Sequence, residues 1–277
     1  MLGAIVGDII GSAYEFTEQK RYDFELLPQG SRFTDDSVMT IAVAYWLCNY
    51  IEEDHPQEKL IETMQMFGRK YPFAGYGSSF NSWLWSENPQ PYNSWGNGAA
   101  MRVSPVGLYA ETLDEALDLA KRTAEISHNH PEGIKGAQAV AAAVWMAKHG
   151  QTKDEIRDYI TRMFQYDLAR TVNDIRPTYQ WNVSCQGSVP ESIICFLEGK
   201  DFMDVVRLAV SLGGDADTMA CIAGSIAVCI YPIPKEICMK CMELLPDELQ
   251  NTLEKASRLF AFKRLLEKRS QFYSDKS

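Results

Sequence analysis

SVMTIAVAYWLCNY, residues 37–50, reads as an apolar helix, and the rest of the chain repeats its helical periodicity rather than the alternation of strands. Downstream, residues 57–70 place Leu60, Ile61, Met64 and Phe67 on one stripe. Thr112 to Glu115 spell a capping box that opens a helix running through Ile126, and Thr152 to Glu155 open another through Phe164. Between them the Ala-rich stretch 132–148 stops before Gly150, a fitting C-terminal cap. Segments 190–198, 201–212, 217–231, 234–245 and 247–269 complete the set, with Pro232, Pro234 and Pro246 as breaks. Upstream, MLGAIVGDIIGSA has no basic leading region, and Asp8 interrupts an apolar run too short to span a bilayer. It reads as a buried helix, so the class is all-α.

Two stretches resist the helical reading. Residues 72–105 are dense in Gly, Asn, Ser, Pro and aromatics; a structureless loop of that length in a compact domain is usually functional. Phe73, Tyr76, Trp83 and Trp95 oppose disorder there. The second, 171–188, carries Tyr179, Trp181 and Gly187, and its aromatics could contact a ligand base or only pack. With no internal repeat or flexible linker, residues 1–277 are expected to form one domain.

Composition narrows the function. The hydrophobic fraction of 46% and charged fraction of 23% are those of an ordinary globular protein. A formal net charge of −10 argues against a general nucleic-acid-binding surface, which needs clustered Lys and Arg. Seven cysteines without framework spacing fit reduced thiols in a cytoplasm, and no segment offers a membrane span. Cys238 and Cys241 form a C-x-x-C with no second pair to complete a zinc site, so they are expected as i,i+3 residues on a helix face.

Three acidic clusters adjoin apolar helices, where carboxylates are costly unless compensated. Thr34, Asp35, Asp36 and Ser37 precede the helix at 37–50. Gly213, Gly214, Asp215, Ala216, Asp217 and Thr218 precede the helix that ends near 231. Asp8 and Glu15, seven apart, would share one face of the first helix. Each cluster alone could be no more than a helix cap. The second supplies two carboxylates and a hydroxyl where a cap needs one acceptor. If the clusters meet, Asp35, Asp36, Asp215 and Asp217 bring together about four negative charges, which two hard divalent cations would balance.

In four segments, FTDDSVMT, SWGNGAAMRVSPVG, SHNHPEG and SLGGDADT, with GDIIGSAYE at 7–15, the chain resembles the ADP-ribosylglycohydrolases along nearly its whole length. The resemblance implies a single-domain orthogonal helical bundle with a dinuclear metal cleft holding two Mg2+, or Mn2+. It implies Thr34, Asp35, Asp36, Asp215, Asp217 and Thr218 as metal ligands and Glu15 and Asp36 as catalytic. Asp8 would orient a ligand or cap. Gly75, Gly77 and Ser78, with Ser94, Trp95, Gly96, Asn97, Gly98 and Met101, would form the diphosphate and ribose loops, with His128 near the ribose. Arg102 either pairs with phosphate or stabilises its loop. Ser37 and Ser127 depart from commoner family residues, and neither removes a ligand.

The implied activity is a magnesium-dependent ADP-ribosyl hydrolase that cleaves the glycosidic bond between ADP-ribose and a protein side chain or nucleobase. The implied partners are an ADP-ribosylated protein or nucleic-acid base and ADP-ribose itself. Two rival readings are a catalytically silent ADP-ribose-binding module and a metal-dependent hydrolase of a small ADP-ribose-type metabolite.

Overall fold

A computed structural model describes residues 1–274. It is a single-domain, all-α bundle: α1 (Leu2–Gly11), α2 (Asp35–Asn49), α3 (Pro56–Lys70), α4 (Ser78–Trp85), α5 (Gly98–Met101), α6 (Ser104–Tyr109), α7 (Leu113–Glu125), α8 (Pro131–Lys148), α9 (Lys153–Phe164), α10 (Val172–Ile175), α11 (Cys185–Glu198), α12 (Phe202–Val210), α13 (Ala216–Ala227), α14 (Lys235–Glu243) and α15 (Asp247–Ser274). Among the described residues β structure is confined to an isolated antiparallel bridge between Gly96 and Ser184. No helix there is long and apolar enough to cross a membrane.

Two helices buried nearly all round organise the bundle. Every residue of α13 is buried, and α2 is buried from Asp36 to Ala44. A helix apolar on all sides belongs in the centre of a large core. Helices α1, α8, α11 and α12 surround α13, while α3, α6 and α15 enclose α2. Antiparallel α1 approaches α13 most closely, because Gly3, Gly7 and Gly11 face Gly224, Ala220 and Ala216 in turn. A Cβ on Gly7 would collide with the Ala220 carbonyl and lie 2.9 Å from the Cys221 nitrogen. Steps of four on both helices let backbone meet backbone. The C-terminal end of α1 therefore lies against the N-terminal end of α13, which fixes where the acidic residues go.

Caps set most boundaries. Thr152 and Glu155 complete the expected capping box at α9. At α7 only half of it forms: Thr112 accepts from the Glu115 nitrogen, while the Glu115 carboxylate accepts from Glu111 N at 2.7 Å. Gly150 has φ +80° just beyond α8, as a helix-ending glycine should.

Three expectations need correction. The first helix stops at Gly11, so Asp8 and Glu15 do not share a helical face; Glu15 sits on the following turn. The stretch 72–105 is not structureless: it contains α4, α5 and the start of α6. Helix α11 begins five residues before Pro190, at Cys185, where Ser184 accepts the Gly187 N–H at 3.1 Å. The range 190–198 starts too late because the Ser184 cap lies upstream and Pro190 sits inside the helix. Cys238 and Cys241 do lie on one helix, α14, and all seven cysteines are free thiols.

Candidate metal centre and the cleft around it

Asp8, on the last turn of α1, points into the N-terminal turn of α2. Its carboxylate accepts from Thr34 N and Ser37 N, both at 3.0 Å, from Thr34 Oγ1 at 2.6 Å, and from Ser37 Oγ. Thr34 in turn caps α2, accepting the Asp36 N–H at 3.3 Å. Capping needs are thus met by Asp8 and Thr34, which frees Asp35 and Asp36 for other work. Asp35 N donates to Ala74 O at 2.9 Å and ties the segment to the loop before Gly75.

The second acidic segment arrives on α13. Thr218 Oγ1 donates to Asp36 Oδ2 at 3.2 Å, so the two motifs touch. Two carboxylate triads result, Asp8–Asp36–Asp217 and Glu15–Asp215–Asp217, each with one oxygen per residue within 4.8 Å of the others. They share Asp217. Lys and Arg contribute no side chain to either triad.

Such crowding has an electrostatic signature. Burial, then the charge of Asp217, pushes Asp35 and Asp36 well above the ordinary carboxylate range. Burial and the charge of Asp215 do the same to Asp217. Asp215 rises to about 6, chiefly through burial, although the Asn97 amide holds it back with a 2.6 Å hydrogen bond. Glu15, half-buried, rises to about 8 through burial and the charge of Asp217. Carboxylates packed this way hold protons or a multivalent cation. The residues fit a cation: Asp36 Oδ1 is buried with no hydrogen-bond partner, and the donors are all oxygens, a set suited to hard divalent ions.

The glycine-bearing loops border this centre. Gly75, at φ +110°, runs beside Asp35: a Cβ there would lie 3.4 Å from Asp35 Oδ1. Gly77 and Ser78 begin α4 further out. Ser94 Oγ accepts Gly96 N at 3.0 Å, and a Cβ on Gly98 would lie 3.1 Å from His128 Nε2. Met101 is buried under the centre, its sulfur 3.9 Å from Thr218 Oγ1. Trp95 is half-exposed and packs edge-on to His130, their ring centres 5.6 Å apart. His128 is buried, bonded through Nδ1 to Ser127 Oγ at 2.8 Å, and burial holds it well below the usual histidine range, hence neutral.

Arg102 resolves toward the loop. Fully buried, it donates to Thr123 O and Ser127 Oγ, both at 2.8 Å, and lies over the Phe80 ring. Tyr179 also packs: its hydroxyl donates to Gly187 O at 2.6 Å, and its ring stands where a Cβ on Gly214 would be. Glycine at 214 lets the segment 177–182 close onto the GGDADT loop. Sequence reasoning assigned nothing to Phe16 or Lys20. Phe16 is 79% exposed directly after Glu15, a large apolar side chain in water beside a half-buried acid. That adjacency was visible in the sequence, but the exposure was not.

Known proteins similar to this chain place its fold and family. ADP-ribosylhydrolase ARH3 of Homo sapiens is 26% identical, the match covering 92% of this chain and 88% of that protein. ADP-ribosylarginine hydrolase Tri1 of Pseudomonas putida (strain GB-1) is 22% identical over 84% of this chain and 70% of its own. A solved structure of an ADP-ribosylglycohydrolase-related protein complex shares the fold, with a TM-score of 0.71 at 22% identity, covering 94% of this chain and 97% of that one. The family model described as ADP-ribosylglycohydrolase matches residues 1–270, and the chain belongs to that family.

Proposed function

We propose that this chain is a magnesium-dependent hydrolase that cleaves the glycosidic bond between ADP-ribose and a modified protein side chain or nucleobase. On this reading residues 1–277 act as one catalytic domain, and seven free thiols suit a reducing, cytoplasmic setting. The observation that carries it is the pair of carboxylate triads sharing Asp217, with the unpartnered Asp36 oxygen between buried walls.

Thr34, Asp35, Asp36, Asp215, Asp217 and Thr218 would hold two Mg2+, or Mn2+. When bound, the ions would supply Lewis-acid polarisation of sugar hydroxyls and water. Asp8 keeps the Thr34–Ser37 turn rigid, and Asn97 orients Asp215. Glu15 is the group placed to move a proton: it stands half-buried beside Asp215 and Asp217, at the edge of the carboxylate cluster. Asp36 and its neighbours would stabilise positive charge developing at the ribose C1. Gly75, Gly77, Ser78, Ser94, Trp95, Gly96, Asn97, Gly98, Met101 and His128 would line the ribose and diphosphate. The neutral imidazole presents Nε2 to that side without a competing charge.

The test is turnover of ADP-ribosylated protein by wild type and Asp217→Asn, with and without EDTA. Loss of at least about a thousandfold in the variant and full loss under chelation are expected, since both triads use this residue. Undiminished turnover in excess EDTA would falsify the metal role. Tight ADP-ribose binding without release from any conjugate would identify a silent binding module instead, and release from small metabolites alone would identify a metabolite hydrolase.

A further inference from the structure

Arg102 is a buried charge without a counter-ion. It is 1% exposed, and no carboxylate among the described residues pairs with it. Its Nη2 donates to Thr123 O and to Ser127 Oγ, while its Nε is buried with no partner. A guanidinium out of water is costly, and one loop carbonyl does not need a full charge to satisfy it. The contact with Ser127 decides more. Arginine can only donate, so the Ser127 hydroxyl must accept from it.

Ser127 is sealed from water, and the further group bonded to its Oγ among the described residues is His128 Nδ1, at 2.8 Å. With one lone pair taken by Arg102, the hydroxyl still has a proton to place, and Nδ1 is the acceptor in reach. A proton already on Nδ1 would leave that hydroxyl hydrogen buried and unpartnered, which makes such a tautomer a minority of about one in ten or less. His128 therefore carries its proton on Nε2. The ring is held firmly: Ser127 N and His128 N both donate to Ala124 O, at 3.1 and 2.7 Å, and the Tyr92 ring packs 5.6 Å away. Nε2 faces the bare side of two glycines. A Cβ on Gly98 would lie 3.1 Å from it and one on Gly96 3.5 Å, and no protein group among the described residues accepts its proton.

We infer that Arg102 and Ser127 are positioning residues: through His128 they present a fixed Nε2–H donor to an oxygen of ADP-ribose bound against the Ser94–Gly98 loop. The inference rests on the reading under Proposed function, which lays ADP-ribose along that loop. The opposite tautomer would set a bare Nε2 against the same oxygen, lone pair against lone pair. The direction of the relay, from guanidinium to hydroxyl to imidazole, is thus what makes His128 a donor.

The experiment records long-range 1H–15N spectra of the full chain labelled with 15N-histidine, at neutral pH, first without ligand and then during titration with ADP-ribose in Mg2+. Signals of His128 are identified by their loss in His128→Gln, and Nε2 is the ring nitrogen coupled to both carbon-bound protons. Wild type is expected to show a protonated Nε2 and a bare, hydrogen-bonded Nδ1. Ser127→Ala should show a mixture of tautomers and bind ADP-ribose about three- to tenfold more weakly, and Ser127→Thr, which keeps the hydroxyl, should restore both. Arg102→Met, with no guanidinium to hold the hydroxyl, should give the same mixture, and it serves where Ser127→Ala does not fold. A protonated Nδ1 in wild type, or ring signals unchanged in the variants, overturns the relay. Equal ADP-ribose affinity in wild type and Ser127→Ala overturns the positioning role. No binding of ADP-ribose by wild type overturns the underlying functional reading and the role toward that ligand with it, whereas the ligand-free spectra decide the relay separately.

Discussion

Asp8 shows how one carboxylate can serve structure and chemistry at once. Four donors from the α2 turn surround it, yet burial outweighs them and its pKa is raised. The donors need an acceptor there, whereas the negative charge is costly among Asp36 and Asp217. Asp8→Asn retains an oxygen facing Thr34 N and Ser37 N, and its amide can donate to the Thr34 hydroxyl. In EDTA this variant is expected to be more stable than wild type by roughly 1–2 kcal/mol, whereas Asp8→Ala, which orphans the donors, should lose about 2–4 kcal/mol. Urea melts of the two metal-free variants check this, and a stability loss in both would show the charge itself to be needed. This duty is not legible in the sequence. The 7–15 motif marked Asp8 as important, but which donors it met depended on Thr34 and Ser37 arriving from a separate helix. Glu15 lies beside Asp215 and Asp217, but not by the shared helical face that its spacing from Asp8 predicts. Seven residues make two turns only if the helix continues, and here Gly11 ends it, leaving a turn to deliver the carboxyl.

At the scale of elements, the site depends on how α1 crosses α13. The glycines at 3, 7 and 11 recur every fourth residue, a pattern legible in the sequence as a helix face with no side chains. Its partner was not legible, because Ala216, Ala220 and Gly224 look like ordinary residues of a buried helix. Meeting of the two acidic corners, the step that spacing alone could not supply, follows from this backbone contact. Gly7→Val would drive a branched side chain into the Ala220 carbonyl. The expected cost is at least about 3 kcal/mol, because backbone cannot move aside as a flexible side chain can. Any folded remainder should show little Mg2+-dependent rise in Tm, since Asp8 and Glu15 shift relative to Asp217. A Gly7→Val protein with wild-type Tm and metal response would show that the contact is dispensable. The irregular stretch 72–105 was harder to read. Its short helices α4 and α5 are too brief for periodicity to declare, and α5 is held by Asn97 N donating to Val183 O at 2.8 Å, a contact from far along the chain.

For the whole molecule, the acidic centre links folding to protons and to cations. Asp35, Asp36 and Asp217 have folded pKa values well above 3.8, and Glu15 moves from 4.5 to about 8. Each is a carboxyl whose folded pKa exceeds its unfolded one, so between those values the native state binds more protons than the unfolded chain. Stability of the metal-free protein is therefore full below about pH 4 as far as these groups are concerned, and it falls as pH rises through the folded values toward 8. A divalent cation reverses the preference by binding the deprotonated oxygens, and its affinity should increase over the same window. Tm in EDTA is expected to decline from pH 5.5 to pH 8, while Tm in millimolar Mg2+ stays level or rises, so the gap between the curves widens with pH. At a hundred times the dissociation constant the cation should add about 2.7 kcal/mol per site. Differential scanning fluorimetry across that range measures the gap directly. Parallel curves would mean that the carboxylates neither hold extra protons nor exchange them for a metal, and Asp217→Asn, which removes the residue both triads share, is expected to flatten the difference.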